Sequence, residues 1–330
     1  MNISVIKPGL ETTIQDFPGR RGMLRHGVPP SGPQDDWSFR LANLVVGNPA
    51  GAAALECQLL GPELRFNADA VIAICGADMG ATLDSQPVQM WQSIAVSPGQ
   101  LLQLGGARYC ARTYIAVAGG IDVPVTMGAR ATYATAALGG ADGKPLTSQQ
   151  VLAVGASALE TPHRSRQVLP SATPAMPTDK VNTICVVRGP NDDWVSEKGV
   201  KEFFEAEWKL TTRSNRVGYR IQGPKLDYSE TALTKSPEHG DHPSNIIDIG
   251  YPIGGINWAG ETPIILMHDC VTLGGFFIPF TVPSCDLWKL AQIRPGSSFM
   301  FREITLEEAQ SQRRKIEKCC VLANIVDSIG

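Results

Sequence analysis

The densest run of groups able to carry a proton or hold a polar substrate is EHGDHPSNIIDIGY, residues 238–251. It contains Glu238, His239, Asp241, His242, Ser244, Asn245, Asp248 and Tyr251. Pro243 biases the preceding His242 away from helix, toward extended or turn backbone. We expect His242 to act as a proton carrier, with Asn245 and Asp248 orienting substrate and imidazole. A solvated polar loop is the plainer reading of the same residues. His239 and His242 make a poor metal site, because they lie three apart on a proline-containing loop with no third clear ligand.

A second candidate is Asp269, at the end of an apolar run and followed by Val271-Thr272-Leu273-Gly274-Gly275. A carboxylate there could serve as base, with backbone N–H groups at Gly274 and Gly275 as oxyanion donors. His268 and Cys270 flank it. As a nucleophilic pair they are unsuited, since residues two apart on a strand share a face but do not hydrogen-bond reliably.

A third is the opening stretch DFPGRRGMLRHGVPPSGPQDDWSFRLANLVVGN, residues 16–48. Pro29, Pro30 and Pro33 fix φ, and Gly32 permits a tight bend. The stiff loop is delivered onto the start of a helix that Asp35 can cap. Oriented N–H donors at Ser31 and Gly32 would suit a carboxylate oxygen; closing a barrel end is the alternative reading.

The elements that must position these groups are mostly strands. Thirty-three glycines and 24 prolines punctuate the 330 residues, leaving short β-branched pieces of the kind found in sandwiches and barrels. The clearest are 70–78, 93–105, 112–120, 182–190, 217–224 and 262–269. Helices are expected from Asp35 to Val46, from Val200 to Leu210, and from Asp286 to Gln292 with Ser284 as cap. A further one follows the T-x-x-E capping box of Thr305 and Glu308. LLGPELRF (59–66) resembles IQGPKLDY (221–228), and AVSPGQLLQL (95–104) resembles QIRPGSSFMF (292–301), in the same order. We therefore expect two related β-barrels in tandem, at 1–155 and 181–304. A Pro-, Ser- and Ala-rich linker at 156–180 and an amphipathic helix at 305–330 complete the expected organisation.

Composition excludes several classes. A net charge of −3 argues against nucleic-acid or membrane-surface partners, which need a basic face. No apolar run approaches the length of a spanning helix and the N-terminus lacks a signal-peptide pattern, so a cytoplasmic location is expected. Of the eight cysteines, most sit singly in apolar runs without a C-x-x-C pair, as buried reduced thiols do.

Seven stretches together resemble the family called allophanate hydrolase subunit 2, found also in the carboxyltransferase region of urea carboxylase. They are GLETTIQDFPGRRG, GVPPSGPQDDWSFRLANLVVGN, ALECQLLGPELRF, GADMGATLD, HPSNIIDIGYPIGGINWAGETPIIL, LGGF and DLWKLAQIRPG, running in family order from residue 9 to about 301. GVPPSGP, SFRLAN and HPSN are more similar to the urea carboxylase branch than to the 5-oxoprolinase branch. The resemblance implies two tandem cyclophilin-like barrels, mainly β, and a carboxyltransferase subunit moving a carboxyl group between carboxybiotin and a urea or amide nitrogen. Arg40, Asn43, Asp78, Asn215, Arg216 and Lys289 fall on its motifs, and Arg40 and Arg216 are of a type that can fork a carboxylate. Such a transfer needs donors for the carboxylate, a base for the acceptor nitrogen and a donor for the ureido oxygen; Ser31 or Gly32, His242, Asn245 and Asp269 are expected to line one cleft.

The chain has no A-M-K-M-type biotinylation segment, and GGADGK lacks the context of a phosphate-binding loop. Carboxybiotin would therefore come from a partner of the subunit 1 type, or the chain would self-associate. The resemblance leaves open a 5-oxoprolinase-type lactam-opening subunit, a kinase-regulating binding subunit, and a hydrolase or cyclase repurposed from the fold.

Overall fold

The short β-branched runs pair as the alternation of their side chains requires, in a computed structural model that describes residues 1–157, 165–177 and 181–328. Two units separate: Met1–Arg21, Ser31–Met176 and Lys315–Gly330 form one, Gly22–Pro30 and Pro177–Arg314 the other. The chain is mainly β and built from tandem barrel-like units.

In the first unit a six-stranded sheet runs in the order Val151–Ala153, Asn2–Lys7, Glu63–Phe66, Leu101–Gln103, Thr82–Leu83, Gln86–Pro87. A five-stranded sheet runs Thr13–Gln15, Ala54–Gln58, Arg112–Val117, Ala70–Gly76, Ser93–Val96. Ile3, Val5, Leu64 and Phe66 of one share a core with Leu55, Ile72, Ile74, Ile115 and Val117 of the other. Arg112–Val117 is buried along its whole length. Its alternate residues, Tyr114 among them, face the helix Asp36–Val45, where Phe39 meets the Tyr114 ring edge-on at 5.7 Å.

A buried carboxylate sets the start of that helix. Glu56 Oε2 accepts from the Gln34 N–H and from Tyr114 Oη, each at 2.8 Å, and Arg112 Nε lies 3.6 Å from Oε1. Tyr114 Oη accepts in turn from the Asp35 N–H at 2.8 Å. Asp35 caps the helix as expected, its carboxylate accepting from the Ser38 N–H at 3.0 Å. Burial, then the Glu56 charge, push the Tyr114 hydroxyl well above its ordinary pKa, so it stays a donor.

The second unit holds a seven-stranded sheet in the order Ile256–Ala259, Thr262–Leu266, Gly218–Gln222, Trp208–Leu210, Ser298–Glu303, Asn182–Arg188, Phe280–Thr281. A bridge between Gly255 and Thr281 and a 2.8 Å bond from Val282 N to Gly254 O join its two ends, so the sheet is a nearly closed barrel. Closure demands glycine at 254, where φ is +85° and a Cβ would run into the Val282 carbonyl oxygen. Aromatic side chains fill the barrel: Phe203 stacks on Phe280 at 4.2 Å and on Phe301 at 4.7 Å. Outside the main sheet, Asn245–Gly250 and Leu273–Phe276 form a two-stranded ribbon whose register shifts between Asn245 and Ile249.

Several elements differ from expectation. The helix expected over 200–210 runs Glu197–Glu205, capped by Ser196, and Trp208–Leu210 is a strand whose two apolar residues point inward. Period two in W-K-L outweighs the helical spacing that Trp208 also satisfies. Ser284 does not cap the helix Leu287–Gln292; Asp286 stands at that position, its carboxylate taken by Cys185 N and Lys289. The run 93–105 breaks at Ser97, whose N–H meets Gln100 Oε1 at 2.8 Å. The capping box at Thr305 and Glu308 forms, at 2.9 and 3.1 Å. Its helix, Leu306–Cys319, is followed by Ile325–Asp327, a strand paired with Arg166–Val168. Of the stretch expected to be a linker, 158–164 and 178–180 lie outside the described residues. No helix of the described residues is long and apolar enough to cross a membrane.

Gly254→Ala should destabilise the protein by about 2 kcal/mol or more, from the left-handed backbone and the clash with Val282. Gly250→Ala, with no atom within 4 Å of its added methyl, should change stability by less than about 0.5 kcal/mol. Urea unfolding midpoints of the two variants check this.

Candidate functional site

His242 and its neighbours form a polar cluster in the second unit. The turn 242–245 is closed by the Asn245 N–H donating to the His242 carbonyl at 2.9 Å. Inside it, the Ser244 N–H donates to His242 Nδ1 at 3.1 Å. Ser244 Oγ lies 2.8 Å from the same nitrogen and accepts from the Gly260 N–H at 3.2 Å. The other ring nitrogen, Nε2, is 3.8 Å from Glu261 Oε1. Tyr228 stands edge-on to the imidazole at 6.2 Å between ring centres, its hydroxyl pushed up to about 12 by burial and then by the Glu261 charge. His242 is half-buried and Glu261 exposed, so one edge of the imidazole stays accessible.

Lys235, which sequence reasoning passed over, underlies this turn. Its ammonium donates to the carbonyls of His242 and Asn245, the latter at 2.8 Å, and lies 5.6 Å from the centre of the Trp194 ring. Desolvation holds its pKa below the usual lysine range, against the pull of Asp241. Its sequence signal was weak: a lysine three residues before the acidic and histidine-rich run, separated from it by Pro237.

The ribbon carries further candidates. Asp248 is exposed, and its Oδ1 lies 3.0 Å from where a Cβ on Gly275 would stand. The Tyr251 ring occupies the place of a Gly274 side chain, its Cε2 2.9 Å from that position. Tyr251 Oη accepts from the Phe276 N–H at 2.8 Å, tying the ribbon's far end. Gly274 is therefore required by the ring that packs against it, while a side chain at 275 would press on the Asp248 carboxylate and the Ile246 carbonyl.

Asp269 is buried and forked by Arg216, with Nε to Oδ2 at 2.9 Å and Nη2 to Oδ1 at 3.2 Å. Its backbone N–H also donates to the Arg216 carbonyl at 3.0 Å. Among the described residues no hydrogen bond or ion pair joins Asp269 to His242. Cys270 is wholly buried and its thiol pushed up to about 12, first by burial and then by the Asp269 charge, so it is no thiolate nucleophile. Lys289 donates to both oxygens of buried Asp286, at 3.1 and 3.2 Å.

The remaining candidates belong to the first unit. Ser31 is buried at φ 55°, and its Oγ has no hydrogen-bond partner among the described residues. The Gly32 N–H donates to Gln15 Oε1 at 3.0 Å. Arg40 is held by Glu317 at 2.7 Å, lies 3.7 Å from Asp36 and stacks over Phe17. Asp78 accepts from the Gly80 N–H at 2.8 Å and faces Arg108 at 3.5 Å. Among the described residues no group of three or more His, Cys, Asp or Glu side chains is placed to hold a metal ion.

Residues 26–303 match the family model for the carboxyltransferase domain, subdomain A and B. A urea amidolyase of Lachancea kluyveri is 40% identical over 314 residues, which are 93% of this chain and 17% of that protein. A 5-oxoprolinase subunit of Escherichia coli is 33% identical over 322 residues, 96% of this chain and 97% of the relative. The crystal structure of Kluyveromyces lactis urea carboxylase superposes with a TM-score of 0.89 at 37% identity, covering 96% of this chain and 29% of that one. The chain thus spans under a third of the length of the urea amidolyase and urea carboxylase relatives.

Asp269→Ala removes the carboxylate that forks the buried Arg216 guanidinium, and should cost about 3–5 kcal/mol of stability. Arg216→Met with Asp269→Leu should recover most of that loss, because both charges leave together. Thermal and urea unfolding of the single and double variants check it.

Proposed function

Because the chain belongs to the carboxyltransferase-domain family, subdomains A and B, we propose that it is the carboxyltransferase part of a urea carboxylase-like system. It would move a carboxyl group between carboxybiotin on a partner and a urea or amide nitrogen. The alignment with urea amidolyase across 93% of the chain carries this reading. Carboxybiotin supplies the carboxyl group when the partner delivers it; the residues of this chain bind, orient and shield the reacting groups.

The turn 242–245 is the part of the second unit suited to that work. A urea or ureido group presents a carbonyl oxygen and N–H donors. The imidazole edge of His242 and the Glu261 carboxylate offer the complementary donor and acceptor side by side. Asp248, exposed beside the two glycines of the ribbon, adds a second acceptor for an N–H group. Arg216 and Asp269 satisfy one another, so their part is to fix the backbone after strand Thr262–Leu266.

A second reading, a lactam-opening subunit, is favoured by the alignment with 97% of the Escherichia coli 5-oxoprolinase subunit. Both substrates contain an N–H beside a carbonyl, so the same cluster would serve either.

Reconstitution with a biotin carboxylase and carrier partner should give ATP- and bicarbonate-dependent turnover of urea. His242→Ala should lower kcat/KM by roughly 100-fold with little change in unfolding midpoint. Turnover of 5-oxoproline with no turnover of urea would select the second reading.

A further inference from the structure

We infer that His242 works as a fixed Nε2–H donor to a substrate oxygen, and that Ser244 and Lys235 are the positioning residues that fix it. This rests on the proposal that His242 meets the substrate, and sharpens its role from proton carrier to hydrogen-bond donor.

One group in the turn has no choice of role. A backbone N–H can donate but never accept, and that of Ser244 points at His242 Nδ1 from 3.1 Å. The nitrogen must therefore present its lone pair. The fully buried Ser244 hydroxyl is placed to join it: it accepts from the Gly260 N–H and lies 2.8 Å from Nδ1, so once the backbone N–H makes that nitrogen an acceptor the hydroxyl proton can turn to it as well. Two donors converge on one nitrogen, and in the neutral ring the proton resides on Nε2. To take a proton at Nδ1 the ring would have to give up the bond from the Ser244 backbone N–H. The accessible edge of His242 is thus an N–H.

Lys235 prevents the turn from rotating out of this arrangement. Its ammonium binds the carbonyls at both ends of the turn and rests against Trp194. The charged and titratable groups facing the imidazole are Glu261 at Nε2 and Tyr228 at its edge. Lys225 lies behind Glu261, at 3.8 Å from Oε2. An acceptor at Nε2 orients the same N–H without disturbing Nδ1.

A donor is sufficient for the proposed exchange. The C–N bond to the donor ureido nitrogen breaks, a C–N bond to the acceptor nitrogen forms, and the proton lost by the acceptor ends on the donor nitrogen. No net proton is consumed, and what His242 must hold is an oxygen that gains negative charge.

Nitrogen NMR of histidine-labelled protein reads the tautomer without any assay. His242 should show a protonated Nε2 and an unprotonated Nδ1, and Ser244→Ala or Lys235→Met should broaden or shift those resonances. A neutral ring protonated at Nδ1 would overturn the inference. In the reconstituted complex, His242→Gln keeps an N–H near the Nε2 position but cannot titrate. It should restore kcat to within about tenfold of the parent, while His242→Asn, reaching only the Nδ1 position, should fall roughly 100-fold as His242→Ala does. If His242→Gln falls as far as His242→Ala, the donor role is wrong and the proposed site stands. If His242→Ala itself is unimpaired, the site is wrong.

Discussion

A charge withdrawn from water has to be met by donors that are already in place, and this constraint organises each unit. In the first unit the charge is Glu56, whose carboxylate lies under the helix Asp36–Val45. It collects the Gln34 N–H, the Tyr114 hydroxyl and the Arg112 guanidinium. Two of those three donors also fix the chain entering the helix, through Gln34 and through Tyr114 to Asp35. An unpaired carboxylate at that depth would cost several kcal/mol. The loop therefore has one low-energy path into the helix, and the prolines before it only narrow the approach.

In the second unit the corresponding charge is Asp269. Its fork to Arg216 joins the residues that lead into Gly218–Gln222 to those that follow Thr262–Leu266, neighbouring strands of the barrel. The pair acts as a covalent-like staple at one end of that strand pair, and both carboxylate oxygens are consumed by it. Glu261 and Asp248 are the contrasting cases: the same chemical group, exposed, with room for a further partner. Burial and pairing, more than residue type, sort the acidic side chains into those that hold the fold and those that stay open at the surface.

That sorting explains how much was legible in the sequence. Chain-wide pattern was readable: the β-rich character, the Asp35 cap, the Thr305–Glu308 capping box and the family motifs all depend on residues near one another in sequence. Trp208 was misassigned because three residues of W-K-L satisfy a helical and a strand period alike, and partners at 221–222 and 298–299 decided between them. The cluster at 238–251 was visible as a concentration of polar groups. The assignment of partners within it was not, because Tyr228, Lys235 and Glu261 come from other segments and have ordinary local sequence. The Arg216 and Asp269 candidacies came from motif and position, and sequence has no means to reveal that the two side chains meet each other.

The role of Ser244 shows where such reasoning stops and geometry takes over. H-P-S-N reads as a proline turn with polar side chains, and any of its three polar residues could be the chemical one. What distinguishes them is direction. Pro243 sets the bend that lets the Ser244 N–H reach back to the imidazole. Gly260, from the turn between strands Ile256–Ala259 and Thr262–Leu266, donates to the serine oxygen and so holds it beside the ring. A barrel turn thereby helps fix the hydrogen on His242 through Ser244, sixteen residues before Gly260 in sequence, whose hydroxyl never meets solvent. The residue that faces outward is the histidine, but the information about which of its nitrogens carries the proton is stored in the backbone.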